Sequence, residues 1–303
     1  TNTQVAVTDA GSEISDPLGV VFSADSSTVF VALYGDSKIV EIDVATASVV
    51  DSITTDSDEN IALAISRDGS TLIVSDDYGN VTTFNASTGA RLSAFSSTGY
   101  VINIFEFAPN QYYLVDYYGE ISVLDLNPGV DAVTSLLSPE LPVTAYYSCI
   151  SPDNSVIYFV ENPDLLVGVN PVSNTVVSQT TLTGAGDAYA CAVTPAGNKV
   201  LVTDSDAVSP GIVFEVDVAS KTVSNTYQMP NIEYPVGIVL IGCNAYVSGY
   251  SENIGILQLD DQSCLGILPN TGLDVAAIAG VAGFAAVAVL AGFVVLVGRR
   301  RVS

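Results

Sequence analysis

Histidine is missing from all 303 residues of the chain. Its absence removes Ser-His-Asp catalysis, imidazole metal sites and the commonest general base near neutral pH. A cysteine nucleophile would likewise lack its usual imidazole partner. Basic residues are almost as scarce. Lys38, Arg67, Arg91, Lys199 and Lys221 are the only ones ahead of position 299, against 33 acidic residues, so that part of the chain carries a net −28. Binding a polyphosphate or an anionic lipid surface needs cations to neutralise it, so no nucleic-acid partner is expected. No glycine-rich phosphate cradle is present; GAGD at 184–187 is too short to form one. DSDEN at 56–60 and DSD at 204–206 offer hard oxygen ligands, but neither completes an EF-hand loop. The expectation is therefore no cofactor, with Ca2+ the one ion these residues leave open.

Cysteine is limited to four residues, a number that suits an exported, oxidising setting and allows three pairings. Cys149 and Cys191 sit in apolar, strand-like stretches, YYSCIS and AYACAV. Both readings stay open for them: buried thiols, or a bridge between neighbouring strands.

What the chain has is repetition. The segments VVFSADSSTVFVA, LAISRDGSTLIVS, FEFAPNQYYLVD, SCISPDNSVIYFV, CAVTPAGNKVLVT and IVLIGCNAYVSG each read as strand, short polar turn, strand. Their turns start at Ser23, Ser66, Ala108, Ser151, Thr194 and Ile241, in steps of 43, 42, 43, 43 and 47 residues. A third strand follows each pair (KIVEIDV, NVTTFNA, EISVLDL, LLVGVNP, GIVFEVD, IGILQLD), and in the first five units a fourth closes the set. Four short strands per unit of about 40–45 residues is the pattern of β-propeller blades.

The residues also resemble the YVTN-type propeller repeat, whose pattern PLGVVFSADSSTVFVALYGDSKIVEIDVATASVV follows nearly throughout. The likeness spans about residues 14–264 and implies an all-β propeller, and the count of six units makes six blades the expectation. The sixth unit has only three strands of its own, and Gln4 to Thr8 (QVAVT) is a spare strand expected to complete it. A seventh blade remains open if further chain lies upstream. In such a blade the first-to-second and third-to-fourth turns share one face, and the second-to-third turns share the other. Cys243 and Cys264 then fall on one face of the last blade, which makes them the expected disulfide. The second-to-third turns carry Tyr34, Tyr78, Tyr118 and Tyr250, accompanied by Asp76, Asp116, Glu161 and Asp204. Tyrosine with carboxylates suits the binding of sugars or proteins. The repeat itself also favours an aromatic and a glycine at this turn, so turn-making is the competing explanation.

The C-terminus carries a second resemblance. Leu268, Pro269, Asn270, Thr271 and Gly272 form LPNTG, followed by Val275 to Val297, 23 uncharged residues, and then Arg299, Arg300 and Arg301. The order is similar to the cell-wall sorting signal of Gram-positive surface proteins. Each part has a physical rationale. At about 1.5 Å per residue the apolar run spans a hydrocarbon core of about 30 Å as a transmembrane helix. The arginines would hold its end in the cytoplasm, and Pro269 keeps the motif extended. The resemblance implies that a sortase cuts between Thr271 and Gly272 and joins Thr271 to peptidoglycan, after a stage in the membrane. No export signal is seen after Thr1, so one is expected upstream or already removed. The expected organisation is a propeller ectodomain over 1–266, the sorting motif over 267–272, and a transmembrane helix with an arginine tail over 273–303.

These features together predict a non-enzymatic protein displayed on the cell wall, binding an unknown glycan or protein ligand. An extracellular propeller enzyme, lactonase-like or another hydrolase, and a structural subunit of a wall polymer are the alternatives left standing.

Overall fold

The computed structural model describes residues 17–259, apart from 24, 47, 98, 131, 136–144, 162, 174, 208–209, 242 and 250–253. Every regular element among them is a β-strand. Blade 1 contains β1 (Pro17–Phe22), β2 (Thr28–Leu33), β3 (Lys38–Asp43) and β4 (Ser48–Thr54). Blade 2 contains β5 (Asn60–Ile65), β6 (Thr71–Asp76), β7 (Asn80–Asn85) and β8 (Arg91–Ser96). Blade 3 contains β9 (Val101–Ala108), β10 (Gln111–Asp116), β11 (Ile121–Asp125) and β12 (Ala132–Ser135). Blade 4 contains β13 (Ala145–Ile150), β14 (Ile157–Glu161), β15 (Leu165–Asn170) and β16 (Thr175–Thr181). Blade 5 contains β17 (Ala188–Val193), β18 (Lys199–Asp204), β19 (Gly211–Asp217) and β20 (Thr222–Met229). Blade 6 shows three strands among the described residues: β21 (Gly237–Ile241), β22 (Asn244–Ser248) and β23 (Ile254–Gln258). The six blades follow the six sequence units, each with its strands paired in chain order. The spare strand Gln4–Thr8, the sorting motif and the apolar run lie outside the described residues.

Burial explains why the inner strands read as continuous apolar runs. β2, TVFVAL, is buried at five successive positions because both faces of the blade are covered. The outer strands differ: β4 (SVVDSIT) and β16 (TVVSQTT) bury one position each and leave most of the others to solvent. The described chain forms two compact units, one including the residues up to Tyr113 with Leu124–Val133, the other Leu114–Val123 with the residues from Thr134 onward. In the first, Phe30, Ile39 and Ile53 pack on Leu72, Val74 and Phe84, joining blade 1 to blade 2. In the second, Tyr158, Val160 and Leu166 pack on Val200, Val202 and Phe214 between blades 4 and 5. Leu201, Val213 and Met229 meet Ile238, Ala245 and Val247 between blades 5 and 6. Each large apolar side chain buried this way contributes about 1.5–3 kcal/mol.

The first-to-second turns repeat a carboxylate cage. Asp25 Oδ1 accepts from Ser23 Oγ at 2.7 Å, Ser27 N at 3.0 Å and Ser27 Oγ at 2.8 Å. Asp68 accepts the same set from Ser66 and Ser70, and Asp153 from Ser151 and Ser155. These bonds hold all three carboxyls below the ordinary range, Asp25 to about 2. The third-to-fourth turns use the same device: Asp43 caps Thr46, Asn85 caps Thr88 and Asp217 caps Ser220. Part of the acidity of the sequence is therefore turn chemistry rather than binding chemistry.

Cys149 and Cys191 form a disulfide with a Cα–Cα distance of 5.8 Å. It joins β13 to β17, the first strands of blades 4 and 5, and so resolves the open pairing in favour of a bridge. Cys243 is also disulfide-bonded. Its expected partner, Cys264, lies outside the described residues.

Candidate ligand-binding turns

The second-to-third turns place the candidate tyrosines in different settings. Tyr78 and Tyr118 are 71% and 64% exposed. Tyr78 follows Asp77 in a turn closed by Gly79, whose φ of +81° only glycine adopts without strain. Its hydroxyl hydrogen-bonds Glu59, and the negative charge there raises its pKa. Tyr118 sits in the matching turn of blade 3, edge-on to Tyr117 with ring centroids 5.4 Å apart. Tyr34 is more enclosed. Its backbone bridges to Glu59, its hydroxyl donates to Asp77 Oδ2 at 3.4 Å, and burial beside these carboxylates pushes its pKa up to about 12. Tyr250 lies outside the described residues.

The carboxylates paired with these tyrosines in the sequence reading sit behind the turns instead of on their surface. Asp76 is 7% exposed, Asp116 4% and Asp204 2%. Each ends the second strand of its blade and accepts backbone amides. Asp76 Oδ1 takes Tyr78 N at 2.9 Å and Asn80 N at 2.8 Å, and its Oδ2 takes Asn80 Nδ2 at 2.9 Å. Asp204 takes Gly186 N, Asp187 N and Asp206 N. Asp116 takes Tyr118 N at 2.9 Å and Glu120 N at 2.7 Å. Burial, with Glu120 close by, outweighs those two bonds and raises Asp116 to about 6. Glu161 ends β14 at the corresponding position. Its Oε2 is buried without a hydrogen-bond partner, and burial together with Asp164 raises its pKa. Asp76, Asp116 and Asp204 thus shape the turns from beneath, while Tyr78 and Tyr118 stand at the surface. Spacing alone did not reveal this, because a turn-capping Asp and a ligand-facing Asp occupy the same place in the repeat.

Two carboxylates of the segments considered for calcium have partners within the chain. Asp56 holds Arg91 Nε at 2.6 Å, and Asp204 is taken by amides. Among the described residues no group of three or more His, Cys, Asp or Glu is placed to hold a metal ion.

Two features escaped the sequence reading. Asn60, 1% exposed, directs Nδ2 at Leu33 O, Asp36 O, Thr55 Oγ1 and Ser57 O, between 2.9 and 3.2 Å away. It ties the second-to-third turn of blade 1 to the segment that leads into blade 2; no other unit has an asparagine there to signal it. Tyr147 OH lies 2.6 Å from Tyr189 OH, across the same two strands that the disulfide joins. Here a signal existed: a tyrosine stands two residues before the cysteine in both YSC and YAC.

Blades of this form make the chain a six-bladed β-propeller. It is similar to Kuenenia stuttgartiensis hydrazine synthase, with a TM-score of 0.69 and 16% identity, over 88% of this chain and 86% of that one. It is also similar to the β-propeller domain of Myceliophteria thermophila Cps50 (Swd1), with a TM-score of 0.60 and 12% identity, over 80% and 83% of the two chains. At these identities the likeness establishes the fold alone. No protein-family pattern and no curated protein matches the sequence.

Proposed function

We propose that this chain is a sortase substrate displayed on the Gram-positive cell wall, a YVTN-type propeller that binds a glycan or protein ligand through its second-to-third turns. The observation that carries the reading is the order of the tail: LPNTG, an uncharged run long enough to span a bilayer, then three arginines. Thr271 becomes the residue joined to peptidoglycan, and the membrane holds the chain only until that transfer. The exposed rings of Tyr78 and Tyr118 supply apolar faces with polar tips for a ligand. The protein is read as non-enzymatic and free of cofactor, its chemistry limited to recognition.

The test is fractionation of wall, membrane and medium. Thr271→Ala should move the protein from wall to membrane, because the attacked carbonyl belongs to that residue. If the variant stays covalently attached to peptidoglycan, the sortase reading is wrong. A glycan and protein array probed with the chain addresses the ligand.

One observation favours a second reading, a subunit of a wall polymer. Lys199 is held by Glu215 and Asp217 with its side chain 19% exposed, whereas Lys221 is exposed and the Lys38 side chain is 45% exposed beside Asp36. Lys38 and Lys221 are then the amines that would accept another chain's threonine. Mass spectrometry of wall digests that finds both lysines only as free amines would end this reading.

A further inference from the structure

The chain contains few side chains able to absorb an oxidant. Tryptophan and histidine are absent, and there is one methionine. That methionine, Met229, is 7% exposed, and among the described residues no cysteine is free. Oxidising equivalents that elsewhere go to thiols and thioethers fall on the 15 tyrosines. Among the described residues, two of those tyrosines meet hydroxyl to hydroxyl. Tyr147 on β13 and Tyr189 on β17 have their hydroxyl oxygens 2.6 Å apart, ring centroids 4.2 Å apart and ring planes at 41°. The seam between the two strands is already fixed by Cys149–Cys191, two residues further along each strand. The rings are therefore held in register by a covalent bond close by.

We propose that Tyr147 and Tyr189 form an oxidative cross-linking site, which a peroxide-derived one-electron oxidant converts into a dityrosine bridge between blades 4 and 5. Each phenol loses one electron and its hydroxyl proton. The two phenoxyl radicals then couple through the ring carbons beside their oxygens, forming one C–C bond. Each of those carbons gives its hydrogen back to an oxygen, which restores two phenols. One hydrogen peroxide takes up the two electrons and two protons and leaves as two waters. In the product the two hydroxyls are neighbours within hydrogen-bond distance, a relation the side chains already have before reaction. The bridge adds to the disulfide a bond that reductants do not open. It does not depend on wall attachment or on any ligand.

The experiment treats the full chain with hydrogen peroxide and a catalytic haem peptide. Dityrosine fluorescence is recorded, and the reduced, digested protein is mapped by mass spectrometry. The expected result is one dominant intramolecular product joining the Tyr147 and Tyr189 peptides, lighter by two hydrogens, with Tyr147→Phe and Tyr189→Phe reducing it to background. A cross-link that maps to Tyr78 or Tyr118, joins two chains, or persists in either Phe variant overturns the proposal. Mapping in the unsubstituted chain decides the matter even if a variant fails to fold.

Discussion

Ser26 holds, at φ +59°, the backbone position that Gly69 fills at φ +74° in the next blade. Both residues follow the caging aspartate of a first-to-second turn, and Asn154 and Gly197 occupy the same place in blades 4 and 5 at φ +60° and +70°. The left-handed conformation costs a non-glycine residue about 1–2 kcal/mol, more than the roughly 0.4–1 kcal/mol of chain entropy that glycine adds to the unfolded state. Ser26→Gly should therefore raise the denaturant midpoint slightly, by a stabilisation below about 1 kcal/mol. A lower midpoint would show that the Ser26 side chain stabilises the turn in a way its backbone does not reveal.

Close approach of two first strands sets a stricter limit at Gly19. A Cβ there would meet Ile61 O, Leu63 N and Leu63 Cβ, each at 2.9 Å. Because two of these atoms are backbone, β1 and β5 would have to move apart. Gly19→Ala should cost about 1–3 kcal/mol in equilibrium unfolding, as overpacking does. Unchanged stability would mean that the seam between blades 1 and 2 has slack.

Replacing both Cys149 and Cys191 with serine should lower stability by about 2–4 kcal/mol, since the bridge spans 42 residues of the unfolded chain. The comparison is made by denaturant titration without reductant, so that the disulfide at Cys243 stays intact. A loss below about 0.5 kcal/mol would show that apolar packing between blades 4 and 5 fixes the seam without help.

Two pH windows with opposite sign are expected. Asp25 and Asp217 are held near pKa 2, so their stabilisation is present above the ordinary carboxylate pKa and is lost as pH falls through about 2. Asp116 is raised to about 6, so the native state takes up its proton first. Its contribution is complete below about 4 and lost as pH rises through about 6, worth up to about 3 kcal/mol. Asp116→Asn should flatten the melting temperature between pH 4 and 6, a window set by the shift of Asp116. An unaltered profile in that window would place the titration on another group.

Tyr78 and Tyr118 are exposed, so Tyr78→Ala and Tyr118→Ala should each leave stability within about 0.5 kcal/mol of the parent. Any ligand found for the chain should bind more weakly to one or both variants. Full binding by both would move recognition away from these turns.

Strand order was legible in the sequence because the pattern repeats: apolar run, polar turn and apolar run recur every 42 to 47 residues, and each of the six units became one blade. The caging turns were visible in SADSS, SRDGS and SPDNS, whose hydrogen bonds close between residues at most five apart. Local chemistry of that kind is written locally. The roles of Asp76, Asp116 and Asp204 were not, because whether a carboxylate faces solvent or folds back onto its own amides depends on burial by the surrounding blade. The same holds for Cys149 and Cys191, and for Tyr147 and Tyr189. Strand pairing within a blade follows chain order, but contact between first strands of neighbouring blades brings together residues 42 apart, and only packing decides which side chains meet across that seam.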